Sequence, residues 1–342
     1  MSHRNRYLVG MFCAAAFASI AVAGCSDDTD GDKGSLTVYS GRSEELVGPL
    51  IELFEKESGI DVEVLYSDSA SLALQIKEEG AESPADVFFS QAPGPLGSVA
   101  GADMLQPLDA ALLGSVPSDF AATDGTWVGV SGRVRVAVYD TEKLDASQLP
   151  ASVLDLADPA SELVVGIAPT NASFQDFVSA MRVELGDDAT LLFLEGLAAN
   201  GVRTYPNNVA VVEAVGRGEV DLGLVNHYYN LELTSQDASL TTANHFFPSG
   251  DLGSLVLVSG AAMLKTASNV DQGTEFLNFL LSAESQQFFA VETFEYPIVA
   301  GVDGPTGQPA LTDLAPPPFD LVELGQQLDS TLALIQQAGL VS

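Results

Sequence analysis

Two cysteines, three histidines and one tryptophan in 342 residues leave little for several kinds of chemistry to work with. No Gly-x-Ser-x-Gly elbow and no His-Glu-x-x-His pair occurs, so neither a serine-hydrolase nor a metalloprotease site is legible. Basic residues are also scarce: 13 Lys and Arg stand against 47 Asp and Glu, a net charge of −34. A nucleic-acid partner is not expected, because holding phosphate backbones requires the opposite sign. The N-terminal apolar run, Leu8–Val22, falls short of the ~20 residues that a membrane-crossing helix needs.

That run follows Arg4 and Arg6 and ends in small residues, the layout of an export signal over residues 1–24. Its end, Val22-Ala23-Gly24-Cys25, resembles a bacterial lipobox, which implies that Cys25 is lipidated and anchors the protein to a membrane. Cys13 leaves with the signal, so Cys25 is the one mature cysteine, with no internal disulfide to join and no thiol nucleophile beside it. Residues 25–34 are polar and Gly-rich, a solvated tether. Removing Arg4 and Arg6 takes the basic count from 13 to 11 against 47 acidic residues, a mature net charge of −36. Such a charge serves solubility and general attraction of cations rather than a site.

The length exceeds one ordinary core and predicts about two lobes. Leu36–Ser40 reads as a strand, Glu44–Ser58 as a helix stopped by Gly59, Ile60–Leu65 as a strand, Ser71–Glu79 as a helix and Asp86–Phe89 as a buried strand. This β-α-β-α-β order predicts an α/β lobe with a mostly parallel sheet. Thr126–Val130 and Arg133–Tyr139 are two β-rich runs with no helix between them, and a hinge between lobes is placed there. A second alternating series follows, through strand Leu163–Ile167, helices Phe174–Leu185, Ala189–Ala199 and Val209–Val215, and strand Val220–Val225. Ser254–Val258 returns to the first lobe, helices Val270–Leu281 and Glu284–Val291 lie behind it, a Pro/Gly-rich loop spans Gly301–Pro318, and Leu321–Ala338 is a closing helix.

In open α/β sheets ligands bind beyond the carboxyl ends of the strands. Four turns qualify: Gly41-Arg42-Ser43, Ser90-Gln91, Thr170-Asn171-Ala172-Ser173 and Asn226-His227-Tyr228-Tyr229. Only at Tyr228-Tyr229 do two of the eight tyrosines stand side by side. A phenol, with a pKa near 10, ligates where a highly charged cation such as Fe3+ stabilises the phenolate. Adjacent aromatics after a strand also serve as packing or as a stacking platform for an organic solute such as a sugar or polyamine, with Trp127 as a further surface. The loop before Phe174 offers hydroxyl, amide and backbone N–H groups to an anion. Ser43 is expected to cap the helix at Glu44 and so aim its positive end, with Arg42, at the cleft. A surface ion pair of Arg42 with Glu45 or Glu63 is the alternative. His227 is expected to point away from the tyrosines, since neighbouring side chains diverge.

Leu36–Tyr39 with Gly41, Ser83-Pro-Ala-Asp-Val-Phe-Phe-Ser90, Ala168-Pro-Thr-Asn-Ala-Ser-Phe174 and Gly218-Glu-Val-Asp-Leu-Gly-Leu-Val-Asn-His-Tyr-Tyr229 together resemble the ferric-ion-binding proteins of bacterial ABC importers. The resemblance runs from about residue 35 to the C-terminus. It implies a type II periplasmic-binding-protein fold, with residues 35–131 and 259–300 in lobe one and 132–258 and 301–342 in lobe two. It implies Tyr228 and Tyr229 as iron ligands, and Asn171, Ala172, Ser173, Asn208 and Asn226, with Arg42 as counter-charge, around a synergistic anion: carbonate, phosphate or citrate. Ser43 and Gln91 stand where best-known members carry a ligand His and a ligand Glu, and Phe174 stands where another branch has a tyrosine, so these three are expected to line the cleft without an anionic ligand from lobe one. The implied protein is no enzyme. It is a lipid-anchored monomer on the outer or periplasmic side of the cell membrane that passes iron to an ABC permease and its ATPase. A surface hydrolase is the remaining, poorly supported reading.

Overall fold

The computed structural model describes residues 34–314, 323–324 and 327–341. The expected signal, Cys25, nearly all of the tether, and the parts of the Pro/Gly-rich loop and closing helix at 315–322 and 325–326 lie outside the described residues. No helix among the described residues is long and apolar enough to cross a membrane.

The first half-sheet grows from β1 (Ser35–Ser40), which pairs in parallel with β2 (Asp61–Tyr66) and β3 (Val87–Ser90). Two helices make the crossovers, α1 (Glu44–Ser58) and α2 (Ser69–Glu79), and α3 (Pro93–Gly101) leaves β3. Gly59, at φ 73°, ends α1 in the left-handed conformation that only glycine enters cheaply. A short α4 (Ala110–Leu113) precedes the molecule's longest strand, β4 (Trp127–Asp140).

β4 takes in both β-rich runs of the expected hinge as one strand with a register shift between Gly129 and Ser131. Its first half pairs antiparallel with β9 (Val256–Met263) and with the short β10 (Tyr296–Pro297). Its second half pairs antiparallel with β7 (Leu222–Asn226) and β8 (Thr242–His245). β7 in turn lies parallel to β5 (Val165–Ile167), which pairs with β6 (Arg203–Thr204). The order is therefore β2-β1-β3-β9-β4-β7-β5-β6, two half-sheets with a parallel block at each outer side and antiparallel strands at the join. This is a mixed α/β architecture in which β4 runs through both half-sheets, pairing antiparallel with β9 and β10 in one and with β7 and β8 in the other.

In the second half-sheet the helices are α5 (Ala172–Leu185), α6 (Asp187–Ala199), α7 (Asn208–Arg217) and α8 (His227–Gln236). Behind the first lie α9 (Val270–Leu280) and α10 (Ala283–Val291). After a short α11 (Leu311–Leu314), the closing α12 (Leu328–Gln337) docks on α5, where Ser179 and Thr331 share a 2.8 Å hydrogen bond and Arg182 donates to Thr331 and to the Gln327 carbonyl.

Candidate functional site

β7 is buried at every residue and runs straight into α8, so the residues at the junction are placed by the core. Gly218, at φ 70°, stops α7, and Gly223 lets α7 press onto the strand, since a Cβ there would sit 2.6 Å from Val211. The first turn of α8 then presents Tyr228, 4 % exposed, and half-buried Tyr229, with ring centroids 4.1 Å apart. Neither phenol oxygen has a hydrogen-bond partner among the described residues. Burial pushes the Tyr228 phenol well above its ordinary range and Tyr229 adds to this, while Arg133 and Arg42 pull the other way. Tyr228 is thus neutral until a strong cation displaces its proton.

His227 faces the opposite way. Its Nδ1 accepts from the Val134 N–H at 3.2 Å, its Nε2–H donates to the Phe294 carbonyl at 2.8 Å, and its ring lies 4.7 Å from Tyr296. Burial holds it down to about 4, so it is neutral and both nitrogens are committed.

Four of the expected anion residues meet in one network. Asn171 caps α5, its Oδ1 accepting from the Ser173 N–H at 3.0 Å and the Ser173 hydroxyl at 2.7 Å. Asn208 Nδ2 donates to Asn171 Oδ1 at 3.1 Å and to Ser173 Oγ at 3.3 Å. Arg135 joins Asn226 to them, reaching Asn226 Oδ1 at 3.2 Å, Ser173 Oγ at 3.3 Å and the Leu224 carbonyl at 2.9 Å, with its guanidinium over the Phe177 ring. Burial lowers Arg135 to about 10, and Tyr229, Asp176 and Tyr228 counter this. Asn208 Oδ1 and Asn226 Nδ2 stay buried without partners, as does Arg133 Nε, so the cradle is incomplete by itself.

Arg42 is placed differently. It is 2 % exposed and forms a bidentate pair with Glu295 at 2.9 and 2.8 Å, rather than a surface contact with Glu45 or Glu63. Glu295 also accepts from Ser131 and Thr293, and Arg133 Nε stands 3.8 Å from it. Burial pushes the Glu295 carboxyl up, but Arg42 and Arg133 outweigh it and hold the group below its usual range.

A pocket of about 440 Å3 adjoins this network, walled by Gln91, Arg133, Ala172, Ser173 and Asp176 among others. Three expectations need correction. Phe174 does not face it: the side chain is fully enclosed, 6.0 Å from Phe177, because α5 turns its apolar stripe to the core and its 172-173-176 side to the pocket. Ser43 holds the N-cap position of α1 and is exposed, but it makes no side-chain cap bond. Trp127 is fully buried in the main hydrophobic core, so it offers no stacking surface.

Arg133, Arg135, Asp176 and Glu295 escaped the sequence reading. The first two carried a usable signal, Arg-Val-Arg inside an otherwise apolar strand, since a charge in a buried strand costs free energy unless it has work to do. Among the described residues no three His, Cys, Asp or Glu side chains gather as a metal site.

Residues 36–295 match the family model described as bacterial extracellular solute-binding protein. The chain belongs to that family. It is a binding protein, not an enzyme. The major ferric iron-binding protein of Neisseria meningitidis serogroup B is 34 % identical over 309 residues, covering 89 % of this chain and 93 % of the relative. Iron-bound HitA from Pseudomonas aeruginosa superposes with a TM-score of 0.83 at 34 % identity, covering 89 % of this chain and 99 % of that one. Trichodesmium FutA, solved with iron and citrate, gives 0.79 at 28 % identity, with 90 % and 99 % covered.

Proposed function

We propose that this solute-binding protein captures ferric iron between its lobes, with Tyr228 and Tyr229 as the protein's ligands and a synergistic anion in the cradle of Asn171, Ala172, Ser173, Asn208 and Asn226. The observation that carries the reading is the junction of two unpartnered phenols with a cradle whose buried donors are themselves unsatisfied. Ferric ion displaces the phenol protons, so binding releases protons and acid favours release. An anion beside it supplies Asn226 Nδ2 and Arg133 Nε with the acceptor they lack and fills positions that Ser43 and Gln91 leave unfilled. The iron-binding neighbours named above support the cargo, and the citrate in FutA supports an anion partner.

In this reading residues 35–131 with 259–300 and 132–258 with 301–342 close about β4 and β9 as two lobes. Cys25 tethers the protein by lipid to the cell membrane, and the loaded form delivers iron to an ABC permease with its ATPase. Ferric titration of the iron-free protein should develop a visible phenolate-to-iron absorption. A protein that takes up ferric ion without that band overturns the proposal.

A further inference from the structure

Asp176 is half-buried in the pocket wall, yet it has no hydrogen bond and no ion pair among the described residues. The helix dipole does not explain it, because no acidic residue lies in the first turn of α5. An unpartnered, half-buried carboxylate costs free energy, so stability does not account for it either. What it faces is charge: Arg133 and Arg135 both draw its proton off, against a burial that pushes it up to about 6, so it is ionised at neutral pH.

The rest of the wall sharpens the point. Asp68 and Asp329 line the same pocket, opposed by Arg133 and Lys77. Lys77 is engaged by Ser98 at 2.7 Å, and Asp68 is engaged in capping α2 through the Ser71 N–H at 2.9 Å. The cradle leaves the Asn226 Nδ2 and Arg133 Nε donors open, whereas the pocket that meets it at Ala172 and Ser173 carries three carboxylates. An anion small enough to sit wholly on Asn171, Ser173, Asn208 and Asn226 avoids them. One with further carboxylates must extend past the cradle into their field.

We propose that Asp176 selects the co-bound anion by charge and reach, admitting a small anion such as carbonate and turning away a polycarboxylate such as citrate. This rests on the iron reading above and names the form of its cargo: ferric ion with a small anion, not a ferric polycarboxylate.

The test supplies ferric ion to the iron-free protein with carbonate alone, phosphate alone or citrate alone, and reads affinity from the phenolate band and from competition with a chelator. Wild type should prefer carbonate to citrate. Asp176→Asn should shift the citrate-to-carbonate affinity ratio toward citrate by about tenfold, the scale of one unit charge at a few ångströms in a partly screened cleft. Asp176→Glu should keep the wild-type preference, which separates charge from shape. A ratio unmoved by Asp176→Asn, or a wild type that takes citrate as readily as carbonate, overturns the selector while leaving the iron reading intact. Absence of the band with every anion sinks the iron reading itself, and the selector with it.

Discussion

Two buried arginines, Arg42 and Arg135, make opposite use of their charge. Arg42 is closed on itself, paired through two hydrogen bonds to Glu295, with Ser131 and Thr293 completing the carboxylate. Around Arg135, which links Ser173 and Asn226, Asn226 Nδ2 and Asn208 Oδ1 keep bonding capacity that nothing among the described residues meets. A satisfied buried charge holds a fold together. An unsatisfied one marks the place where something else binds, because burying polar groups without partners is otherwise costly. The tyrosine pair lies within the field of both clusters, but only the second has valence left to share with a ligand.

The largest expected effect comes from removing the phenols beside Arg135. Replacing Tyr228 and Tyr229 together by Phe should abolish the ferric absorption band while circular dichroism stays that of the wild type, since two hydroxyls without partners are removed and both rings remain; full iron affinity in the double variant would refute ligation. Next comes the Arg42 cluster. Glu295→Gln should cost about 3–5 kcal/mol of stability in denaturant unfolding, because Arg42 would be left buried without its counter-charge. The iron band of whatever remains folded should persist, and its loss would show that the Arg42 cluster binds ligand after all.

Arg135→Met is the intermediate case. It should cost about 1–3 kcal/mol, from Asn226 Oδ1 and the Leu224 carbonyl left unmet, and should also weaken iron binding in a manner that depends on the buffer anion. Anion-independent weakening would place Arg135 with the structural cluster. The smallest effect is a pH slope in the iron-free protein. The folded-state value of Asp176 lies above its unfolded value, at about 6, so folding takes up a proton between them, and this group adds stability as pH falls from about 6 toward 4. Asp176→Asn should remove that gain, making acid destabilisation steeper by about 1–2 kcal/mol over the window after allowance for solvent at the half-buried group. Parallel thermal-midpoint curves for the two proteins would count against the shift.

Much of the frame was legible from residue order. The helix at Glu44–Ser58 falls where its apolar spacing and Gly59 put it, and the strand delivering Tyr228 and Tyr229 lies between α7 and α8 as expected. Short strands such as Thr242–His245 and Tyr296–Pro297 were missed, since two to four residues carry no readable period and owe their form to pairing with β4. Within the site, the Asn171–Ser173 turn and Asn226 could be named from their position after strands. Phe174 could not be oriented, because adjacent helix positions differ by roughly 100° and the core-facing stripe is known only once the helix is docked.

The amino-acid order by itself determined the alternation of strands and helices, the pair of adjacent phenols, the scarcity of competing ligands and the acid-rich surface. All of these are local or compositional, set by spacing, propensity and count. Only the tertiary structure decided which charges cancel. Arg42 and Glu295 lie 253 residues apart in the chain, and Arg135 and Asn226 lie 91 apart. Their pairing depends on where β4 threads between the half-sheets, and electrostatic energy depends on distance and burial in space, which one-dimensional spacing does not encode.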